Sequence, residues 1–301
     1  MTYARAHLVD SDNGGFYHCI SRCVRRSWLC GQDILSGRSY DHRRAWVEAR
    51  ILQLAQIFSV EVFGYAVMSN HYHLVVEVVP KRVSEWSDEE VVHRWLRLSL
   101  ARKGGPPDTR ASSILLDPKR VSLIRERLGS LSWFMRYLNE PIARQANRED
   151  GCTGRFWEGR FKSIALLDNA AVVACMAYVD MNPIRAKITK RIEAAKYTSV
   201  QHRLCNANGE PSVLGNLSRV GVSFVEYVGM LRWTIAIDGG DITTPSAQTK
   251  QVFTRMKQSA DSWLGRVNVN RFKYRAYGSS QLLKRYAQTL GQHWIKTATC
   301  T

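Results

Sequence analysis

The 301-residue sequence lacks several features that would fix its class at once. No apolar run approaches the ~18 residues of a membrane-spanning helix. The opening MTYARAHLVDSDNGG has neither an apolar core nor a small-residue cleavage site, so no secretory signal is expected. No phosphate-binding loop of the helicase type occurs, which speaks against a replication initiator with its own motor. The seven cysteines are odd in number, and Cys19, Cys23 and Cys30 follow a C-x3-C-x6-C spacing that matches no zinc site. Reduced thiols and a cytoplasmic, nucleoid-associated protein are expected. There is no internal repeat and no low-complexity tract.

Acid is also scarce. Against 43 Lys and Arg stand 26 Asp and Glu, a formal net charge of +17 and a pI near 9.8. The shortage is greatest in 250–301, where ten bases meet one acid, Asp261. Aromatic residues from Trp263 to Trp294 lie among those bases, Arg271, Lys273 and Arg275 included. Such a surface concentrates polyanions, and nucleic acid is the leading partner. No basic amphipathic membrane anchor stands out. The alternative for this tail is a helical cap on the rest of the chain.

What is present reads as alternating strands and helices. GFYHCISR (15–22) predicts a strand, and Val47, Ile51, Leu54 and Phe58 predict a helix over 40–58. EVFGYAVM (61–68) and HYHLVVEVV (71–79), parted by Ser69-Asn70, predict a hairpin. Residues 80–120 look inserted, with Ser87 and Glu90 as a capping box and RKGGPPD (102–108) as an exposed loop. A helical region over 119–148, a strand over 153–166, and a helix capped by Asp168 and stopped by Pro183 follow. LCNANGEPSVLGN (204–216) is a plausible domain boundary. The expected division is therefore 1–203 and a mainly helical basic extension, 204–301.

His71 and His73 stand two apart in a strand, so they project from one face, while Tyr72, Leu74, Val76 and Val78 project from the other. Two imidazoles side by side suit a divalent metal. They can equally be strand-end histidines satisfied by hydrogen bonds. Tyr178 and Asn182 are four apart on a predicted helix and share its face. A tyrosine can be a nucleophile and an asparagine carbonyl a metal ligand; a packing tyrosine and a helix-ending asparagine are the plain alternative. In GRFWEGRFK, Arg155, Arg160 and Lys162 surround Phe156, Trp157 and Phe161, a mixture that suits phosphates and unpaired bases. Arg136 and Arg144 add basic positions in the preceding helical region.

Three blocks, GYAVMSNHYHLVVEV, RYLNEPIARQANREDGCTGRFWEGRFKSI and AYVDMNPIRA, together resemble the single-tyrosine HUH transposases, most closely their REP-associated tyrosine transposase branch. The likeness spans roughly 15–200, with the blocks in the family's order. It implies an α+β catalytic domain, a central antiparallel sheet of ferredoxin-like type flanked by helices. It implies a metal-dependent enzyme that cleaves and rejoins single-stranded DNA bearing REP-like hairpins. Tyr178 falls on the nucleophile, His71 and His73 on the histidine pair, and Asn182 on the third ligand for Mg²⁺ or Mn²⁺. The segment 80–120 and the tail beyond about 205 exceed a minimal enzyme of this type. A catalytically silent DNA- or RNA-binding regulator on the same scaffold and an HUH replication or mobilisation endonuclease are the other readings. Monomer and homodimer both remain open.

Overall fold

In the computed structural model, residues 9–10, 13–24, 29–32, 37–98, 107–206, 212–269, 274–293 and 295–299 are described. The first strand, β1 (Gly15–Arg22), starts beside a close backbone approach. Gly14 has φ +75°, and a Cβ there would stand 2.1 Å from the Val78 carbonyl oxygen, so only glycine fits. After β1 come α1 (His42–Ala55), β2 (Val60–Val67) and β3 (His71–Val78). The β2–β3 pair is the expected hairpin, closed where the Met68 amide donates to the His71 carbonyl. Its ladder carries an irregularity between Val62 and Gly64 that turns Phe63 toward the face of Val75.

The expected insertion forms helices. Ser87 caps α2 (Asp88–Arg97) by accepting from the Glu90 amide, and α3 (Pro107–Leu115) already begins inside the segment expected as loop. Residues 99–106 lie outside the described set. The single helical region expected over 119–148 is two helices, α4 (Pro118–Leu128) and α5 (Leu131–Glu149), because the chain breaks at Gly129-Ser130.

Two expectations need correction. The strand expected over 153–166 is only β4 (Lys162–Leu166). Residues 153–161 form a loop in which Gly154 takes φ +97° and Trp157 makes a single bridge to Cys23. Pro183 does not stop α6 (Asn169–Arg185), which ends two residues later. Proline lacks an amide proton, and its carbonyl accepts from the Ile188 amide beyond the helix end. Asp168 caps α6 as expected, by accepting from the Ala171 amide.

The remaining elements are α7 (Ser199–Cys205), α8 (Phe224–Asp238), α9 (Ala247–Arg255), α10 (Ala260–Asn268), β5 (Ala276–Gly278), α11 (Ser280–Thr289) and β6 (Thr297–Thr299). Among the described residues the sheet has six strands in the order β2-β3-β1-β4-β5-β6. The first four are antiparallel and follow the β-α-β-β-α-β order of a ferredoxin-like sheet. β5 and β6 add in parallel, which makes the whole sheet mixed. The protein is α+β, with helices on both faces.

One face packs Tyr72, Leu74 and Val76 against Val47, Ile51 and Leu54 of α1 and Phe134, Leu138 and Ile142 of α5. The other packs Phe63, Val75 and Leu166 against α6, and α6 in turn against Tyr227, Leu231, Phe253 and Trp263. No helix among the described residues is long and apolar enough to cross a membrane.

Helix α6 is held by one buried carboxylate. Asp180 is fully buried and accepts from the Ser199 hydroxyl (2.6 Å), the Val200 amide (3.0 Å) and the Tyr227 hydroxyl (2.6 Å). Burial pushes its pKa up, and these hydrogen bonds pull against that rise. Asp180 thereby ties α6 to α7 and α8. Asp180→Ala strands three buried donors and is expected to cost about 3–5 kcal/mol in urea unfolding. A loss below about 1 kcal/mol would mean that the network is not what fixes the helix.

Candidate active site

The period of two in β3 sends His71 and His73 toward the α6 face and seats Tyr72 in the opposite core. Tyr72 is fully buried, and its hydroxyl donates to Asn139 Oδ1 of α5 at 2.6 Å. The Asn139 amide donates to Ser21 Oγ of β1, and the Trp157 indole donates to the Asn139 carbonyl. Helix α5 therefore pins β1 and β3 together from behind, directly under the histidines.

On the α6 side a row of imidazoles forms. His71 Nε2 and His73 Nε2 are 3.0 Å apart, and His71 Nδ1 lies 2.6 Å from Asn70 Oδ1. His73 Nδ1 lies 2.9 Å from Nε2 of a third histidine, His18 of β1. Tyr178 stands over this row, with ring centroids 5.6 Å from His73 and 6.1 Å from His18, both edge-on. His73 and His18 are fully buried, whereas His71 and Tyr178 are half-buried. The strand pair and the tyrosine helix thus meet.

Sequence reasoning missed His18 and Arg22. Phe16, His18, Ile20 and Arg22 alternate on one face of β1, and that alternation was the available signal. Arg22 is exposed and lies opposite His71 in the ladder. Burial lowers the His71 pKa from 6.5 to about 4, and the positive charge of Arg22 pushes the same way. At neutral pH the His71 imidazole is uncharged and has a lone pair to give.

The fit of a divalent metal can be judged from this geometry. Two nitrogens bound cis at about 2.1 Å stand about 3.0 Å apart, which is the separation of His71 Nε2 and His73 Nε2. Among the described residues no three His, Cys, Asp or Glu side chains gather around one point. Two imidazoles therefore need a neutral protein oxygen or the substrate itself to complete a site. The Asn182 amide nitrogen donates back to the Tyr178 carbonyl at 3.0 Å, which leaves Oδ1 as its other end.

The expected nucleic-acid contacts divide into groups. Residues 155–162 run beside the histidine end of β1, since the Glu158 amide donates to the Arg22 carbonyl and the Val24 amide to the Phe156 carbonyl. Arg155, Arg160 and Lys162 are exposed there, and Lys162 shares a cross-strand row with Ile20 and His73. Trp157 sits in the same loop, but its ring packs edge-on to Tyr72 and Phe156. Arg136 and Arg144 lie on the exposed face of α5, on the other side of the sheet, and both pair with Glu140. Arg275 precedes β5, and its backbone links β4 to the residue before β6. Arg271 and Lys273 lie outside the described residues. The other flank of the histidine row carries exposed Lys196, next to Tyr197 and to Thr198, which bridges Ala66, the ladder partner of His73.

No protein-family model and no curated protein sequence matches the chain. Among solved structures, one described as "Structure of the REP associates tyrosine transposase bound to a REP hairpin" aligns with a TM-score of 0.40 and 14% identity. The alignment covers 72% of this chain and 93% of that one. This is a distant likeness of fold.

The depressed pKa of His71 has a thermodynamic consequence. Between pH 6.5 and about 4 the unfolded chain binds a proton at this position and the native chain does not. Stability therefore falls as pH drops through that window, by up to about 3 kcal/mol, and the loss is complete near pH 4. Urea unfolding at pH 7 and pH 4.5 is expected to show a smaller pH-dependent loss in His71→Gln than in the wild type. Equal losses would show that His71 titrates alike in both states.

Proposed function

We propose that the chain is a metal-dependent nuclease and strand transferase acting on single-stranded DNA near hairpins, with Tyr178 as nucleophile. The observation that carries this reading is the meeting of Tyr178 with the His71–His73 pair, 5.6 Å between the Tyr178 and His73 rings and 3.0 Å between the two Nε2 atoms. The basic surface and the exposed Arg22, Arg155, Arg160 and Lys162 beside the site are consistent with a phosphodiester substrate.

His71 Nε2, His73 Nε2 and Asn182 Oδ1 would hold Mg²⁺ or Mn²⁺. Bound there, such an ion would supply a Lewis acid to offset charge growing on the scissile phosphate. A phenol in water has a pKa of about 10, so the Tyr178 proton has to leave as the Oη–P bond forms. The P–O3′ bond breaks and the leaving oxygen takes up a proton, giving a 5′-phosphotyrosine and a free 3′-OH. Because the phosphoester is kept, the same 3′-OH or another can attack it and restore the strand without ATP. Arg22, opposite His71, is placed to meet a non-bridging phosphate oxygen, and Lys162 and Lys196 flank the row on either side.

A second reading, a silent nucleic-acid-binding protein, is favoured by one observation. Both ring nitrogens of His71 and of His73 face hydrogen-bond partners, Asn70 and His18 among them, without any ion. Denaturing gels after incubation with hairpin-bearing single-stranded DNA from the gene's own flanks and Mn²⁺ separate the two readings. The enzyme forms an adduct that survives denaturant, Tyr178→Phe forms none, and His71→Ala and His73→Ala lose activity by about 10²-fold or more. EDTA abolishes the reaction. An adduct in Tyr178→Phe would exclude this nucleophile, and no adduct in the wild type would favour the silent binder. Lys162→Ala and Lys196→Ala should each lower the salt slope of DNA binding by about one; an unchanged slope would place the DNA elsewhere.

A further inference from the structure

His18 has no part in the chemistry above, yet it is fully buried in the middle of β1. An unpartnered imidazole there would cost more than the valine or isoleucine that a strand normally places in a core. Its ring stacks on His73, with centroids 5.1 Å apart and an interplanar angle of 24°. Its Nε2 faces His73 Nδ1, so His18 touches the nitrogen of His73 that points away from His71.

The order of protons along the row follows from its end. Asn70 Oδ1 only accepts, so His71 Nδ1 carries a proton and His71 Nε2 has the lone pair. In neutral rings His73 Nε2–H then donates to His71 Nε2, and His18 Nε2–H donates to His73 Nδ1. A metal needs a lone pair on His73 Nε2, so the His73 proton has to sit on Nδ1 instead. His18 Nε2, which faces that atom, then has to change from donor to acceptor. Imidazole does so by carrying its own proton on Nδ1. Three protons are present on the three rings before and after, so the row rearranges without gaining or losing charge.

We propose that His18 is the positioning residue that holds His73 in its metal-binding tautomer and ring orientation, a role that rests on the metal-dependent reading above. Partners of this kind behind a ligating histidine typically change metal affinity about 10–100-fold. The pairing differs from the usual carboxylate or carbonyl partner, because an imidazole can face His73 in either tautomer. The contact between His18 Nε2 and His73 Nδ1 can therefore be kept both with and without the ion.

Mn²⁺ alone, titrated into the full chain and followed by loss of the free-ion electron paramagnetic resonance signal, tests this. His18→Leu is expected to weaken binding about 10–100-fold. His18→Gln, whose side-chain oxygen can reach the place of Nε2 and accept from His73 Nδ1–H, is expected to restore most of it. Thermal unfolding without Mn²⁺ separates a local effect from loss of fold. Nitrogen-15 spectra of the wild-type histidines add a measurement that needs no variant. The His73 and His18 protons should both move from Nε2 to Nδ1 on adding Mg²⁺. Wild-type affinity in His18→Leu, or a His73 proton that stays on Nε2 in the Mg²⁺-bound protein, overturns the proposal. Failure of the wild type to bind either ion instead overturns the metal-dependent reading from which it starts.

Discussion

An imidazole buried between a sheet and a helix is costly unless its nitrogens have partners. Here three rings lie in a row, five of their six nitrogens face a partner in it, and the partners come from different parts of the chain. Asn70 comes from the hairpin turn, His71 and His73 from β3, and His18 from β1. This constraint reaches outward. The ladder has to hold His18 opposite Val75 and Ile20 opposite His73, so that the two histidines meet on the diagonal. The turn has to present Asn70 back toward His71. The face has to be covered by a helix that leaves room for the rings, and α6, small and apolar over 170–177, does this.

The two sides of the sheet divide the work. Behind the histidines, Tyr72, Asn139 and Ser21 link β3, α5 and β1, and Tyr72 fills a core that excludes water. In front, Asp180 fixes α6 to α7 and α8, two residues from Tyr178. The C-terminal elements belong to the same framework. Phe253 and Trp263 pack in the core that holds α6, and β5 lies beside β4, where the Ser279 amide donates to the capping Asp168. Some tail cations pair with acids, exposed Arg255 with Glu226 and the largely covered Arg266 with Asp168. Exposed Arg22, Arg155, Arg160, Lys162 and Lys196 are among the cations near the histidine row.

Much of the scaffold was legible in the sequence because it rests on periods. The alternation of β3 put His71 and His73 on one face, and the spacing of Val47, Ile51 and Leu54 gave α1 its buried stripe. Short-range chemistry was legible too, in the caps at Ser87 and Asp168. What stayed hidden depends on long-range pairing. His18 looks like any strand residue until β1 is laid against β3, and Arg22 gains meaning only from its register with His71. The aromatic-basic run at 153–161 alternates like a strand, yet its backbone goes into a loop because Trp157 is drawn into the core beside Tyr72 and Phe156. Pro183 reads as a stop, but the chain beyond it uses the proline carbonyl and the helix continues through Arg185.

The central claim, that Tyr178 bonds to a DNA phosphate beside the histidine pair, can be read from the mass of a single peptide. Trypsin releases residues 163–185, in which Tyr178 is the sole tyrosine. After reaction with hairpin-bearing single-stranded DNA and Mn²⁺, then nuclease trimming, this peptide should carry the mass of a nucleotide phosphate on Tyr178. The same mass on any other peptide, with 163–185 unmodified, would contradict it.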